Sequence, residues 1–226
     1  MDLRRPVILP DPTDRATFLG ATKSGKTHGA LRLLAYYYER YPLIFLNSSA
    51  DDQLEALDVP VAKGLSQLGR FPWPKFPAFT YEPSREELAS PEALDAFCQW
   101  VYERGDSILY IDELTQLNAG KTIPLPGFLN LYARGRRHGV GTWSASQRPV
   151  RIPPNVISEA EWVFEFQLRR KMDLIAVRDG TMDGMEEPLP VSKERGHAVR
   201  IYHVGEGFRT ANTIEEALRW TSFEPE

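Results

Sequence analysis

The run Gly20-Ala21-Thr22-Lys23-Ser24-Gly25-Lys26-Thr27 constrains this chain more than any other feature. It meets the phosphate-binding pattern G-x-x-x-x-G-K-[ST] at every fixed position. The pattern works only between a buried strand and a helix, because backbone N–H groups must converge on an anion with a helix N-terminus behind them. Ala16-Thr17-Phe18-Leu19 reads as a short buried strand, and residues 26–41 read as a helix. The two fixed glycines let the backbone curl without a Cβ clash. Lys26 is placed to reach the β- and γ-phosphates of a nucleotide, and Thr27 to set its hydroxyl on Mg²⁺. The side chains of Lys23 and Ser24 read as solvent-facing. Triphosphate binding is the reading, against a Gly-rich turn with no ligand.

A chain of 226 residues, 42% hydrophobic, can bury a full core. Residues 1–14, with three prolines and paired charges, read as an arm or short edge strand, and residues 15–226 as one domain. The net charge of −4 excludes a uniformly basic nucleic-acid coat. Between Lys121 and Lys171, however, nine Lys/Arg face three acids, a surplus of six, which leaves −10 on the remainder. A basic face on an acidic body suits a polyanion channel; ordinary solvated charge is the plainer reading. Cys98 is the only cysteine, so neither a disulfide framework nor a cysteine zinc site is available. The start of the chain lacks an apolar leader, and no run approaches the ~18 apolar residues of a membrane span. The expectation is a soluble protein of a reducing compartment without membrane insertion.

Apolar runs and helical patterns alternate along the chain. Leu43-Ile44-Phe45-Leu46 is continuous and suits a strand buried on both faces. Residues 51–57 suggest a short helix, and Ala78-Phe79-Thr80-Tyr81 a short strand. The prolines of residues 69–77 exclude a helix or central strand there; the aromatics of that loop either pack on their own surface or dock a partner. Ser84 with Glu87 has capping-box spacing, and Ser90-Pro91 opens a helix whose Leu94, Phe97, Cys98 and Val101 share a face up to Gly105. Ser107-Ile108-Leu109-Tyr110-Ile111 is a strand that runs into Asp112-Glu113. Pro126 opens another helix, ending near Arg134, Arg136 and Arg137; a strand over residues 140–146 then leads to Gln147-Arg148-Pro149. Further strands are expected at 162–166 and 197–204, with helices at 154–160, within 169–187 and at 214–220. Such alternation predicts a three-layer α/β fold, a mostly parallel central sheet flanked by helices. Ligands in such sheets sit at the carboxyl ends of strands, where residues 20–27, 112–113 and 147 all fall.

Asp112 ends an apolar strand and can hold Mg²⁺ through water. Hydrolysis also needs a carboxylate that orients the attacking water, and Glu113 supplies one; the plainer reading is an acid at a helix start. Gln147 can hydrogen-bond a γ-phosphate or the water. Arg134, Arg136 and Arg137 admit three readings: DNA contact, an arginine supplied to a neighbour's site, or helix-end charge. Histidines 28, 138, 197 and 203 show no ligand pairing and read as surface or packing residues.

Gly135-Arg136-Arg137-His138-Gly139-Val140, a strand, and then Ala145-Ser146-Gln147-Arg148-Pro149 resemble the segments flanking the fourth strand of FtsK/HerA-superfamily DNA-pumping ATPases. Ile152-Pro153, the strand at 162–166 and Asp173 extend the likeness, which covers roughly residues 15–180. The resemblance implies a P-loop NTPase of the additional-strand, catalytic-glutamate type, with ATP and Mg²⁺ as ligands. It implies Glu113 as the catalytic glutamate, Gln147 as polar sensor and Arg136 as the arginine donated across subunits. Ring assembly, as a hexamer or pentamer, comes with it. The small size is similar to the genome-packaging ATPases of membrane-containing icosahedral viruses. That implies sequence-independent binding of double-stranded DNA, docking at a capsid vertex, and a place in host cytoplasm or virion; Lys121, Arg169, Arg170 and Lys171 are the candidates for gripping the DNA backbone. Rival readings are a cellular or conjugative ATPase of the same superfamily and a P-loop nucleotide or small-molecule kinase. The absence of an Asn-Lys-x-Asp motif weighs against a GTPase.

Overall fold

The computed structural model describes residues 6–72, 75–117, 125–181, 188–189 and 197–224. Its strands are β1 (Arg15–Leu19), β2 (Leu43–Leu46), β3 (Val61–Lys63), β4 (Ala78–Glu82), β5 (Ser107–Ile111), β6 (Val140–Ser146), β7 (Trp162–Glu165), β8 (Val199–His203) and β9 (Gly207–Ala211). They form one sheet in the order β3-β4-β2-β5-β6-β1-β7-β8-β9. The pairs from β3 to β7 are parallel, and β8 and β9 add an antiparallel edge. The mostly parallel α/β sheet expected from the alternation is therefore present. One strand, β6, separates β1 from β5, so a strand stands between the phosphate-loop strand and the strand that ends in Asp112.

The continuous apolar runs are explained by burial on both faces. In β2, Ile44 and Leu46 join one core with Phe79, Tyr81, Leu109 and Ile111, while Leu43 and Phe45 join the other with Phe18, Tyr110 and Trp143. Successive residues of a strand point to opposite faces, so a strand with a core on each side must be apolar throughout. Helices Pro91–Arg104 and Pro126–Arg134 cover the first face, with Phe97 stacked on Tyr81 at 4.4 Å and 14°. Helix α1 (Lys26–Leu34) covers the second through Ala30, Leu33 and Leu34. The Ser84–Glu87 capping box and the Ser90 cap with Pro91 at the first turn form as the spacing predicts.

Several boundaries differ from expectation. Helix α1 stops at Leu34 instead of reaching residue 41, and turns follow with Glu39 at φ 63°. The tyrosines there serve tertiary contacts: Tyr37 donates to the Pro10 carbonyl and Tyr41 to the Gly139 carbonyl. Residues 6–14 form turns, not a strand, and bury Ile8 and Leu9 in the second core. Strands β3 and β9 are additions to the pattern expected from sequence. In the 69–77 loop Phe71 packs on Phe79 at 4.4 Å and on Phe76 at 5.9 Å. Among the described residues no helix is long and apolar enough to cross a membrane.

Candidate nucleotide site

The carboxyl rim of the sheet gathers the segments singled out by sequence. Residues 20–27 leave β1, residues 47–51 leave β2, Asp112 and Glu113 leave β5, and Gln147 leaves β6. The loop is anchored on both sides: Gly20 N–H donates to the Ser146 carbonyl at 3.1 Å, and Ala21 N–H to the Gln167 carbonyl at 2.8 Å. Gly25 takes φ 97°, a conformation that favours glycine. The His197 side chain lies against it, so that a Cβ at position 25 would meet the imidazole at 3.0 Å. A cleft of about 380 Å³ follows, lined by residues 22–27, 49–53 and Gln147.

Lys26 is only 7% exposed, and its ammonium donates to the Ala21 carbonyl at 3.3 Å. Burial pulls its pKa below the ordinary lysine value, while Glu113, Asp51 and Asp112 oppose that shift. A buried ammonium has three donors to place, and among the described residues one hydrogen bond satisfies it. An anion entering the cleft would supply the remainder.

The acids divide into two environments. Asp112 Oδ1 accepts from Ser48 N–H at 2.9 Å, Ser48 Oγ at 2.7 Å and Glu113 N–H at 2.9 Å, and Oδ2 from Ser49 N–H at 2.9 Å and Ser49 Oγ. Glu113 Oε1 accepts from Thr115 N–H at 3.2 Å and Oγ1 at 2.7 Å, and Oε2 from Gln147 N–H at 3.0 Å. The Gln147 side chain in turn accepts from Thr22 Oγ1 at 2.6 Å. The phosphate loop, Glu113 and Gln147 therefore belong to one network at one rim, with Lys26 beside them.

Asp51 reads from sequence only as the start of a short helix. It does cap that helix, accepting from Gln53 N–H at 2.9 Å, but its other oxygen accepts from Thr27 Oγ1 at 3.0 Å. Ser48 and Ser49, which hold Asp112, carry no motif of their own. The signal available is position alone, a polar run directly after an apolar strand of a parallel sheet. The hydroxyl of Thr27 and the carboxylates beside it are hard oxygen donors. They suit Mg²⁺, which uses one or two carboxylates and completes its shell with water and substrate phosphates.

Other expected residues lie elsewhere. Arg136 precedes β6, so the full strand separates it from Gln147, roughly 20 Å at ~3.3 Å per residue. Its guanidinium is exposed and 3.7 Å from Glu161, which also binds Arg15. Arg169, Arg170 and Lys171 are exposed just beyond the carboxyl end of β7. Lys121 lies outside the described residues. Arg148 pairs with buried Asp173 at 3.1 Å, which ties the segment after Gln147 to the helix Lys171–Thr181.

No family model matches the chain. It is 27% identical over 205 residues to the DNA packaging ATPase P9 of Enterobacteria phage PRD1, covering 87% of this chain and 83% of that protein. The genome packaging NTPase B204 of Sulfolobus turreted icosahedral virus 2, solved with sulfate, superposes with a TM-score of 0.65 at 17% identity, over 89% of this chain and 96% of that one. The same NTPase solved with ATP-γS gives 0.63 over 89% and 97%. The monomer form of the pCW3 conjugation coupling protein TcpA gives 0.54 at 13% identity, over 88% of this chain and 60% of that one. In fold, and toward the phage protein also in sequence, this chain resembles the FtsK/HerA-type P-loop ATPases, and among them those that package viral genomes.

Proposed function

We propose that this protein is an ATP-hydrolysing motor that moves double-stranded DNA into a viral capsid. The observation that carries the hydrolytic part is that Lys26 and Gln147 line one cleft while buried Glu113, directly behind them, accepts from Gln147 N–H and acts on the Lys26 charge. The DNA part is supported by the likeness to packaging ATPases.

The loop backbone over residues 20–25 receives the phosphates, and the buried ammonium of Lys26 gains the anionic partner that the cleft offers it. Thr27 and Asp112 would hold Mg²⁺, and Asp112 also fixes the 48–49 segment beside it. The cation, when bound, neutralises charge on the phosphates that are pulled apart. Glu113 orients the attacking water and accepts its proton. Gln147 reads the γ-phosphate, its side chain exchanging Thr22 for that ligand. Arg136 cannot serve its own chain's cleft across the strand length; it serves a neighbour's, in a ring that is a hexamer or pentamer.

Arg169, Arg170 and Lys171 stand on the rim that carries the nucleotide, where their charge can follow the DNA backbone without reading sequence. Lys121 is assigned with them. The assembly works in host cytoplasm or on the virion, docked at a capsid vertex. The test is the ATPase rate with and without duplex DNA across protein concentration. A motor gains rate from DNA and from assembly. A rate indifferent to both, with a small-molecule phosphoryl acceptor instead, would indicate the kinase reading; the conjugative reading shares the motor result and is separated by the absence of a capsid to fill.

A further inference from the structure

We propose that Asp51 is a second carboxylate that positions the cation at this site, acting through Thr27, on a loop that Asp112 holds in place. The inference rests on the reading of residues 20–27 as a triphosphate site. A carboxylate offers about four lone-pair sites, and Asp112 accepts five bonds: two from Ser48, two from Ser49 and one from Glu113 N–H. Both of its oxygens are thereby engaged by the loop that presents Asp51. Its bonds all run to the segment after β2 and to its own neighbour.

That segment ends in Asp51. Asn47 is fixed by its N–H donating to the Tyr81 carbonyl at 3.0 Å, and its side chain accepts from Asp51 N–H at 2.8 Å. Ala50 takes φ 52°, which turns the backbone so that Asp51 faces the phosphate loop. Asp51 carries two bonds, one from Gln53 N–H and one from Thr27 Oγ1, and it lines the cleft with residues 22–27. Because the Thr27 hydroxyl gives its proton to Asp51, its oxygen can act only as an acceptor or ligand. An outer carboxylate that accepts from a ligating group fixes the ligand's orientation and raises its basicity, and loss of such a partner typically costs ~10–100-fold in metal affinity. The path therefore runs from Asp112 through Ser48 and Ser49 to Asp51, and from Asp51 to Thr27.

The test uses the full chain with AMPPCP and Mn²⁺ in place of Mg²⁺, the free Mn²⁺ being read by its electron paramagnetic resonance signal. Asp51→Asn keeps a side-chain oxygen to cap the following helix but replaces the anionic acceptor. Mn²⁺ affinity should fall about 10–100-fold, while binding of a fluorescent ATP analogue in EDTA stays at the wild-type level. Thr27→Val should also lose Mn²⁺ affinity, and adding Asp51→Asn to it should cost little more, since both changes sever one path. Unchanged Mn²⁺ affinity in Asp51→Asn overturns the proposal, as does a fully additive loss in the double variant. Failure of the wild type itself to bind the analogue both with Mg²⁺ and in EDTA would remove the triphosphate reading and this proposal with it, a result distinct from the other two.

Discussion

Glu113 Oε2 accepts from the backbone N–H of Gln147 at 3.0 Å, so the proposed water-orienting acid and the proposed phosphate sensor are physically joined. The other oxygen of Glu113 is taken by Thr115. Three accepted bonds on about four lone-pair sites leave one on Oε2 for a water. Replacing Glu113 with glutamine preserves volume and one of its two acceptor oxygens but removes the base. ATP binding should remain near the wild-type level while turnover falls ~10²–10⁴-fold, the range general base catalysis contributes. Equilibrium binding beside steady-state phosphate release checks both halves, and undiminished turnover would refute the role.

Arg136 lies a strand's length from its own cleft, and its exposed guanidinium stands 3.7 Å from Glu161. If it completes a neighbour's site, Arg136→Ala should lower turnover by ~10³-fold or more, as removal of such an arginine does elsewhere. Mixing Arg136→Ala with Glu113→Gln subunits should then restore part of the activity, because some interfaces pair an intact glutamate with an intact arginine. Two inactive variants that stay inactive when mixed would count against the trans role.

Arg169, Arg170 and Lys171 are exposed together on the nucleotide rim. For every phosphate that is no longer neutralised, the slope of log affinity against log salt should shrink by ~0.9. Replacing all three by alanine should therefore weaken duplex binding most at low salt and flatten the slope by up to about 2.7. The loss should be alike for unrelated DNA sequences. Filter binding over a salt series measures it, and an unaltered slope would place the DNA elsewhere.

The candidate rim is legible in the sequence because the largely apolar β1 and β5 stop at Gly20 and Asp112, while β6, with Thr142, Ser144 and Ser146, is marked by the Gln147-Arg148-Pro149 segment that follows it. Leu19 gives way to Gly20, Ile111 to Asp112 and Ser146 to Gln147, and a parallel sheet sends all three ends to one side. Asp51 is not legible in its second role, since its bond to Thr27 joins segments 24 residues apart that only the fold brings together. Strand β3 is three residues between Pro60 and Gly64, too short for a period to register. Strand β9 is largely half-buried and interrupted by Arg209, so neither alternation nor a continuous run marks it; Gly205 and Gly207, both at positive φ, are the available turn signal. The end of α1 has no breaker in sequence, because the tyrosines that follow are drawn off the helix by Pro10 and Gly139.

Gly141 sits in β6, the strand between the phosphate-loop strand and the acidic strand. The segment before β1 crosses it so closely that a Cβ there would fall 2.1 Å from the Pro12 carbonyl oxygen and 3.1 Å from that of Asp14. Backbone on both sides leaves no flexible end to move. Gly141→Ala should destabilise the protein by about 1–3 kcal/mol, the usual cost of overpacking, and should loosen residues 6–14. Thermal unfolding together with amide exchange at Ile8 and Leu9 tests this; faster exchange there is expected before any change at Phe97.

Glu165 closes β7 with its carboxylate fully buried, and accepts from Arg200 at 3.0 Å. Burial pushes its pKa up to about 7, with Arg200 opposing only part of the rise. The unfolded chain holds the same group near the ordinary value of about 4.3. Between those two values the folded protein keeps a proton that the unfolded chain has lost, so stability falls as pH rises through this window. The contribution is complete below the unfolded value and gone above about 7. Glu165→Gln should accordingly flatten the decline in melting temperature over that range. Arg200→Met leaves the acid buried without its cation. It should cost about 3–5 kcal/mol where the carboxyl is ionised, as broken buried pairs do, and less where the carboxyl is neutral. Melting curves for the three proteins at half-unit pH steps decide the matter; a wild-type melting temperature that climbs between those two values, unaffected by Glu165→Gln, would mean that the carboxylate is ionised throughout.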